Sequence, residues 1–141
     1  MTLPLSKLVA IGAAHAELEA TQDLEGLLAT MEGEPVYEFH PLGRCFRGMA
    51  RTRRYYEHFM ANVQPTMRGY RQRSEGIGSE GLVQEYAVTV AHPGEAETTT
   101  HSVMAILTFG KEGLSGERIY SDEKFLRLLA GPLWAELEPI A

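Results

Sequence analysis

An α+β fold, with helices first and a curved antiparallel sheet after, closing around one pocket, is predicted by three observations. Apolar residues recur at helical spacing up to Pro65 and at alternate positions beyond it. The segments GSEG, HPGE and GKEG punctuate the second half and carry the Gly and Pro of tight turns between antiparallel strands. The chain of 141 residues, 44% hydrophobic and 23% charged, has the size and balance of one globular domain. It contains no repeat, low-complexity tract or linker, so residues 1–141 are read as a single domain.

The first helix is expected over residues 4–19, with Leu5, Leu8, Val9, Gly12 and His15 near one stripe. Thr21 or Asp23 caps a second helix, whose Leu24, Leu27, Leu28 and Met31 follow the i, i+3, i+4, i+7 pattern of a buried face. Gly33 and Pro35 stop it, and residues 36–40 form a short strand closed by Pro41 and Gly43. A third helix covers residues 49–63. Met49, Thr52, Tyr56, Phe59 and Val63 make its stripe, Arg53 and Glu57 can pair on its outer face, and Pro65 ends it. Four strands follow, at 67–77, 82–91, 98–109 and 114–121, and residues 122–129 read as a short helical turn before Gly131 and Pro132. The three N-terminal helices cover the inner face of the sheet. A strongly bent sheet closed over by helices is a cone with a mouth, the concavity that ligand pockets favour.

The formal net charge of −6, from 13 basic and 19 acidic residues, argues against nucleic acid as the main partner. Eight of the 13 basic residues are arginines between Arg44 and Arg73, which reads either as attraction for an anionic ligand or as a solvated helix face and strand. No apolar run approaches the ~20 residues that span a bilayer. The first twenty residues read as an amphipathic helix rather than a signal peptide, so no membrane partner is expected and the cytoplasm is the expected compartment. Cys45 is the only cysteine, which excludes an intramolecular disulfide and a cysteine metal cluster. It sits in GRCFRG near arginines that would lower its pKa; the plainer reading is a partly buried spectator thiol.

Candidate chemistry centres on the last hairpin. If Lys111 and Glu112 form a two-residue turn, Phe109 opposes Leu114, Val103 opposes Tyr120 and His101 opposes Asp122. Arg118 and Tyr120 then share the face of Asp122, and a one-residue bulge would flip that face. A His–Asp pair offers either a histidine base with its orienting carboxylate or an aspartate base with a histidine acid. The alternative is an exposed strand-end pair of little energetic weight. His40, alternating with Val36 and Glu38, is a second proton-transfer candidate or else a turn histidine bonding local backbone. Tyr37, Glu85, Tyr86, Arg118 and Tyr120 are candidate substrate-binding residues. Tyr120 could hydrogen-bond a substrate oxygen or be core. Glu85, among Val83, Ala87 and Thr89, could be a carboxyl in an apolar cup with a raised pKa, or pair with an arginine of the preceding strand. There is no phosphate-loop lysine after a glycine-rich turn, no His-x-x-x-His and no Gly-x-Ser-x-Gly. Neither cofactor nor metal is implied, which leaves acid–base chemistry by side chains alone.

Two stretches carry a resemblance: EFHPLGRCFRGMARTRRYYEHF and MAILTFGKEGLSGERIYSDEKFL. With the element order they make the chain, from residue 5 to residue 129, resemble the nuclear transport factor 2-like (NTF2-like, cystatin-like) superfamily, which includes SnoaL-like polyketide cyclases, ketosteroid isomerases and scytalone dehydratases. The resemblance implies a general base at Asp122 with His101 beside it, a proton-shuttling aspartate at the place where this sequence has His40 instead, and a homodimer formed sheet to sheet. It also shows a departure, because Ala105 stands where the isomerases' oxyanion-stabilising acid would fall. The implied function is a cofactor-independent enzyme that cyclises, isomerises or dehydrates a small, largely apolar carbonyl or hydroxyl compound. The rival is a non-catalytic ligand-binding or dimerisation module of the same fold.

Overall fold

The computed structural model describes residues 3–141. Helix α1 (Leu5–Ala20) turns Leu8, Gly12 and His15 inward, while Leu5 and Val9 are 60% and 46% exposed. Its inner stripe therefore lies further along the helix than the sequence suggests, through Gly12, His15, Ala16 and Glu19. Gly12 is where helix and sheet approach most closely, since a side chain there would meet Leu82. In α2 (Leu24–Ala29) the Asp23 carboxylate accepts the Gly26 N–H at 2.9 Å, a side-chain N-cap, and Leu27 and Leu28 are buried. The helix ends before Met31 because that residue already belongs to a strand, β1 (Met31–His40). Helix α3 (Met49–His58) buries Thr52, Tyr55 and Tyr56, then continues through a π-helical turn (Phe59–Val63) and a 3-10 turn (Gln64–Thr66). Arg53 pairs bidentately with Glu25 of α2 at 2.6 and 3.1 Å, not with Glu57.

The strands β1, β2 (Arg44–Arg47), β3 (Met67–Ile77), β4 (Gly81–Val90), β5 (Thr99–Phe109), β6 (Leu114–Tyr120) and β7 (Glu138–Pro139) form one sheet in the order β3-β4-β5-β6-β1-β2-β7. The four long strands fall within a residue of expectation. The sheet is mixed, because β1 runs parallel to β6 while the other pairings are antiparallel. The sequence did not announce β2, since Cys45 and Phe46 are both buried and the alternation that marks a half-buried strand is broken there. Helix α4 (Glu123–Ala130) closes the end of the cone, with Asp122 as its N-cap accepting the Phe125 N–H at 2.9 Å.

The core gathers Leu27, Tyr37, Phe39, Phe46, Tyr55, Tyr56, Ile119, Phe125 and Leu133 between helices and sheet. Tyr37 stacks on Phe46 at 5.0 Å, and Tyr55 meets Tyr56 edge-on at 5.0 Å. Burial of such side chains stabilises the fold by about 1.5–3 kcal/mol each. Cys45 is buried on the other face of the sheet, opposite Glu38, and burial pushes its thiol pKa up, the reverse of activation. The arginine-rich stretch is largely occupied with fastening the fold. Arg54 and Arg51 reach Glu136, Arg44 reaches the Leu137 carbonyl, and Arg53 holds Glu25.

One register decides which side chains point inward. Phe109 opposes Leu114 as expected, but Thr108 opposes Gly116, so Ser115 is an extra residue in β6. Beyond the bulge Met104, not Val103, opposes Tyr120. Gly116 has φ +148° and pairs with Val36 where β1 runs alongside β6, so a Cβ there would overlap the Val36 carbonyl. Gly116→Ala is expected to lower stability by about 2 kcal/mol or more in urea denaturation. Gly76→Ala, in open space without a positive φ, should change it by less than about 1 kcal/mol. Equal effects of the two substitutions would remove the close approach at Gly116 as a constraint.

Candidate functional site

A cavity of about 440 Å³ lies between α1, α3 and the inner face of the sheet. Helix α1 contributes Gly12, His15, Ala16 and Glu19 to its wall, α3 and the turns after it contribute Tyr55, Tyr56, Phe59 and Gln64, and β6 contributes Glu117 and Ile119. Tyr70, Gln72, Gln84 and Tyr86 line it from β3 and β4, with Phe125 and Leu129 from α4. No Lys or Arg is among the lining residues.

Of the residues singled out in the sequence, Tyr86 lines this cavity and Tyr37 lies just behind it, its hydroxyl 2.7 Å from that of Tyr56. Four others lie on the outer face, Arg118 and Tyr120 because of the bulge. Arg118 opposes Glu38 and Ile106, and forms an ion pair with Glu80. Tyr120 opposes His40, and their rings stack at 4.6 Å. His40 hydrogen-bonds Glu38 at 2.9 Å. Glu85 opposes Met104 and approaches Arg73 of the preceding strand at 3.9 Å, so it is no carboxyl in an apolar cup. The expected grouping of Arg118 and Tyr120 with His101 on one face is therefore corrected by a single inserted residue.

His101 and Asp122 do meet, by another route. The chain leaves β6 at Ser121, Asp122 turns to cap α4, and its Oδ2 lies 2.5 Å from His101 Nδ1. His101 is buried, stacked on Phe125 at 5.1 Å, with its Nε2 2.8 Å from His92 Nε2. Neither His101 nor Asp122 lines the cavity; Phe125 stands between His101 and its interior. Desolvation alone would raise the Asp122 pKa, but the His101 hydrogen bond and the Phe125 N–H outweigh it and leave the pKa lowered, which weakens Asp122 as a base.

The titratable groups inside the cavity behave differently. Desolvation, with the neighbouring Glu19 charge second, raises the Glu117 carboxyl to about 8. Desolvation raises Glu19 to about 7. The surface both retain faces the cavity they line, where no cation offsets the burial. Desolvation lowers His15 to about 4, so it is neutral near pH 7. Its tautomer follows from its partners. Thr30 donates its hydroxyl proton to the Leu27 carbonyl at 2.6 Å, so at 3.4 Å from His15 Nδ1 it can only accept, and the ring proton sits on Nδ1. His15 Nε2 then accepts from the Tyr56 hydroxyl at 3.2 Å or from a protonated Glu19 at 3.3 Å. A chain of groups thus runs from Glu19 through His15 and Tyr56 to Tyr37.

Sequence reasoning passed over Glu117, Glu19 and the role of His15. Glu19 lies four residues after His15 on a helix face, and Glu117 opposes Leu107 on an otherwise apolar strand face once the bulge is placed. A carboxyl on an apolar face was the available signal. Groups of three or more His, Cys, Asp or Glu side chains placed to hold a metal do not occur among the described residues, and among these residues no helix is long and apolar enough to cross a membrane.

A cone of this order and topology, with a ligand-sized cavity between helices and sheet, is the NTF2-like, or cystatin-like, fold, and solved structures of that description match the chain. The likeness is one of fold, since no family model and no curated protein sequence matches. An LEH-like epoxide hydrolase from M. tuberculosis has a TM-score of 0.64 at 15% identity, covering 93% of this chain and 96% of that one. A putative polyketide cyclase from Xanthomonas campestris has a TM-score of 0.62 at 12% identity, covering 88% and 97%. A protein with a ketosteroid isomerase-like fold from Catenulispora acidiphila, in complex with trimethylamine, has a TM-score of 0.59 at 12% identity, covering 84% and 86%.

The raised carboxyls fix a pH dependence of stability. Glu19 and Glu117 bind their protons more tightly folded than unfolded, so each subtracts stability as pH rises from about 4.5 to about 7 and 8 respectively. His15 opposes this only between about 4 and 6.5, where the unfolded chain still takes up a proton that the folded one refuses. Above about pH 6.5 only the carboxyls act, and stability is expected to fall toward pH 8.5. Glu117→Gln should remove much of that fall, gaining about 2 kcal/mol on the wild type at pH 8.5 compared with pH 6. Urea midpoints at the two pH values check this, and a constant difference between the proteins would refute a raised Glu117.

Proposed function

We propose that the chain is a small-molecule enzyme that moves protons on a carbonyl or hydroxyl compound held in the cone cavity, with Glu117 and Glu19 as its acid–base pair. The observation that carries this reading is the placement of two carboxyls with pKa values near neutrality, one on the helix side and one on the sheet side of one apolar cavity. Near pH 7–8 the pair shares about one proton, so one carboxyl can donate to a substrate oxygen while the other takes a proton from carbon. Tyr56 and Tyr86 add hydroxyl donors, which an oxyanion needs in a cavity without Lys or Arg. Cyclisation, isomerisation and dehydration all lie within this chemistry, as do the named activities of some proteins of the same fold.

The test is the exchange of carbon-bound protons with heavy water, followed by NMR, over a panel of cyclic ketones, hydroxylated aromatics and epoxides. Exchange of at least one compound is expected, with a bell-shaped pH profile limited below about pH 7 by protonation of the base and above about pH 8 by loss of the acid. Glu117→Gln should cost roughly 10²–10⁴-fold in rate. The short His101–Asp122 contact, extended to His92, favours a second reading in which that dyad passes protons to the cavity. His101→Ala separates the two. A loss as large as that of Glu117→Gln in a folded protein supports the dyad, and a rate within a few-fold of wild type supports the carboxyl pair. Ligand binding with no exchange by any member of the panel would favour the non-catalytic binding module.

We further propose that two copies pair through the outer face of the sheet. Met104 is 41% exposed there, beside the Tyr120–His40 stack and a depression of about 560 Å³ lined by Val36, Ile77 and Phe109. Apolar surface of this kind marks contacts between chains. Light scattering at micromolar concentration should give the mass of a dimer, and Met104→Glu should shift it toward the monomer.

A further inference from the structure

We infer that the cavity takes a substrate bearing an ammonium group, a protonated or quaternary amine held by the Glu19 and Glu117 carboxylates against the aromatic walls. This rests on the reading that the cone cavity is the ligand site and adds the class of ligand.

Two independent features of the cavity point to a cation. The first is its lining. Tyr55, Tyr56, Phe59, Tyr70, Tyr86 and Phe125 surround the same space as the two carboxyls. Ring faces attract cations, most strongly where the cation has left water, and quaternary ammonium groups are held in aromatic cages for that reason. Three glutamines, Gln64, Gln72 and Gln84, add amide oxygens that can accept from an N–H.

The second feature is the distribution of positive charge. Outside the cavity several carboxylates meet cations: Glu25 has Arg53, Glu136 has Arg54, Glu80 has Arg118, and Glu95 has Lys124. Inside it Glu117 has no hydrogen bond or ion pair among the described residues, and the raised pKa traces to burial and the Glu19 charge alone. Glu19 meets only the neutral His15. An anionic ligand would face two carboxyls and no cation. A neutral apolar ligand would keep the carboxyls protonated and would offer Glu117 no partner. An ammonium group supplies the one charge the cavity lacks, and its entry stabilises the ionised form of the carboxyl it meets. Binding near neutral pH should therefore release a proton, and affinity should rise with pH until both carboxyls are ionised.

The experiment uses the full chain and two probes of the same shape: phenyltrimethylammonium and its uncharged isostere tert-butylbenzene. Binding is followed by NMR shifts of the lining residues, and proton release by calorimetry in buffers of different ionisation enthalpy. The cation is expected to bind at least about tenfold tighter than the isostere at pH 8 and to weaken by about tenfold on going to pH 6. It should release close to one proton at neutral pH, and Glu117→Gln should weaken it by about tenfold while leaving the isostere unchanged. Equal affinities of the two probes, binding of the cation without proton release, or shifts confined to the outer face would each overturn the inference. Should the isostere and uncharged ketones bind in the cavity and the cation fail, the ammonium assignment falls and the acid–base reading stands. Should no probe enter the cavity, both fall.

Discussion

The extra residue at Ser115 governs the direction of the side chains that follow it in β6. The strand is gripped on both sides, by β5 through antiparallel bonds and by β1 through parallel ones, so it cannot rotate to correct a slip. The bulge is held in turn from three directions. Ser115 Oγ donates to Thr108 Oγ1 at 2.9 Å, Gly116 lets the β1 backbone pass at a distance no side chain tolerates, and the Glu32 carboxylate accepts the Lys111, Glu112 and Gly113 N–H groups of the loop at 2.6, 2.9 and 3.2 Å. Those N–H groups hold the Glu32 pKa below the usual carboxylate range, so the clasp stays ionised at neutral pH. With the register set this way, Glu117 and Ile119 face the cavity while Arg118 and Tyr120 face outward. The charge character of the two faces follows from that one offset.

An inward-facing glutamate without a cation is costly, and the structure reduces the cost by neutralisation rather than pairing. His15 is uncharged, and its Nδ1 proton is committed to Thr30. The Tyr37 and Tyr56 hydroxyls are kept protonated by burial, which pushes their pKa values well above the ordinary phenol. The chain from Glu19 to Tyr37 can therefore be satisfied with no net charge at all, which is what a low-dielectric interior favours. Such a network is balanced at neutral pH, so a small change in its surroundings moves a proton along or out of it.

Much of the architecture was legible because it depends on periodicity alone. The 3, 4, 3, 4 spacing from Met49 located the third helix, alternation located the four long strands, and Asp23 capped its helix as its side chain suggests. Facing directions were not legible, because they depend on a count of residues across a turn, and a bulge of one residue alters that count without a mark in composition. Arg118 and Tyr120 are placed inward on that count and lie outward, while Glu85 takes the other of its two expected places, beside Arg73 of the preceding strand. His101 and Asp122 found each other despite the shifted register, because Asp122 leaves the strand to cap α4 and swings toward β5. The contact owes as much to helix capping as to strand pairing. The short strand β2 was hidden by its two consecutive buried residues, and β1 was shortened in the sequence reading by Gly33 and Pro35, which it absorbs at a register shift between Met31 and Val36.

The two cavity carboxyls stand on different layers, and this ties chemistry to packing. Glu19 rides on α1 and Glu117 on β6, so their separation is set by how closely the helix docks on the sheet. Gly12 permits that docking by leaving room for Leu82, and the His15–Tyr56–Tyr37 contacts fasten α1 to α3 and to β1. A change of a few tenths of an ångström at Gly12 would be felt as a change in the distance between Glu19 and Glu117, with no alteration to either carboxyl. The rigid part of the site is thus Glu117, on a strand gripped from both sides. Glu19 stands in the last turn of α1, a helix whose first two turns carry the exposed Leu5 and Val9. The spacing of the two carboxyls is therefore fixed by the packing of α1 on the sheet, and groups carried on regular elements hold their geometry without help from a loop.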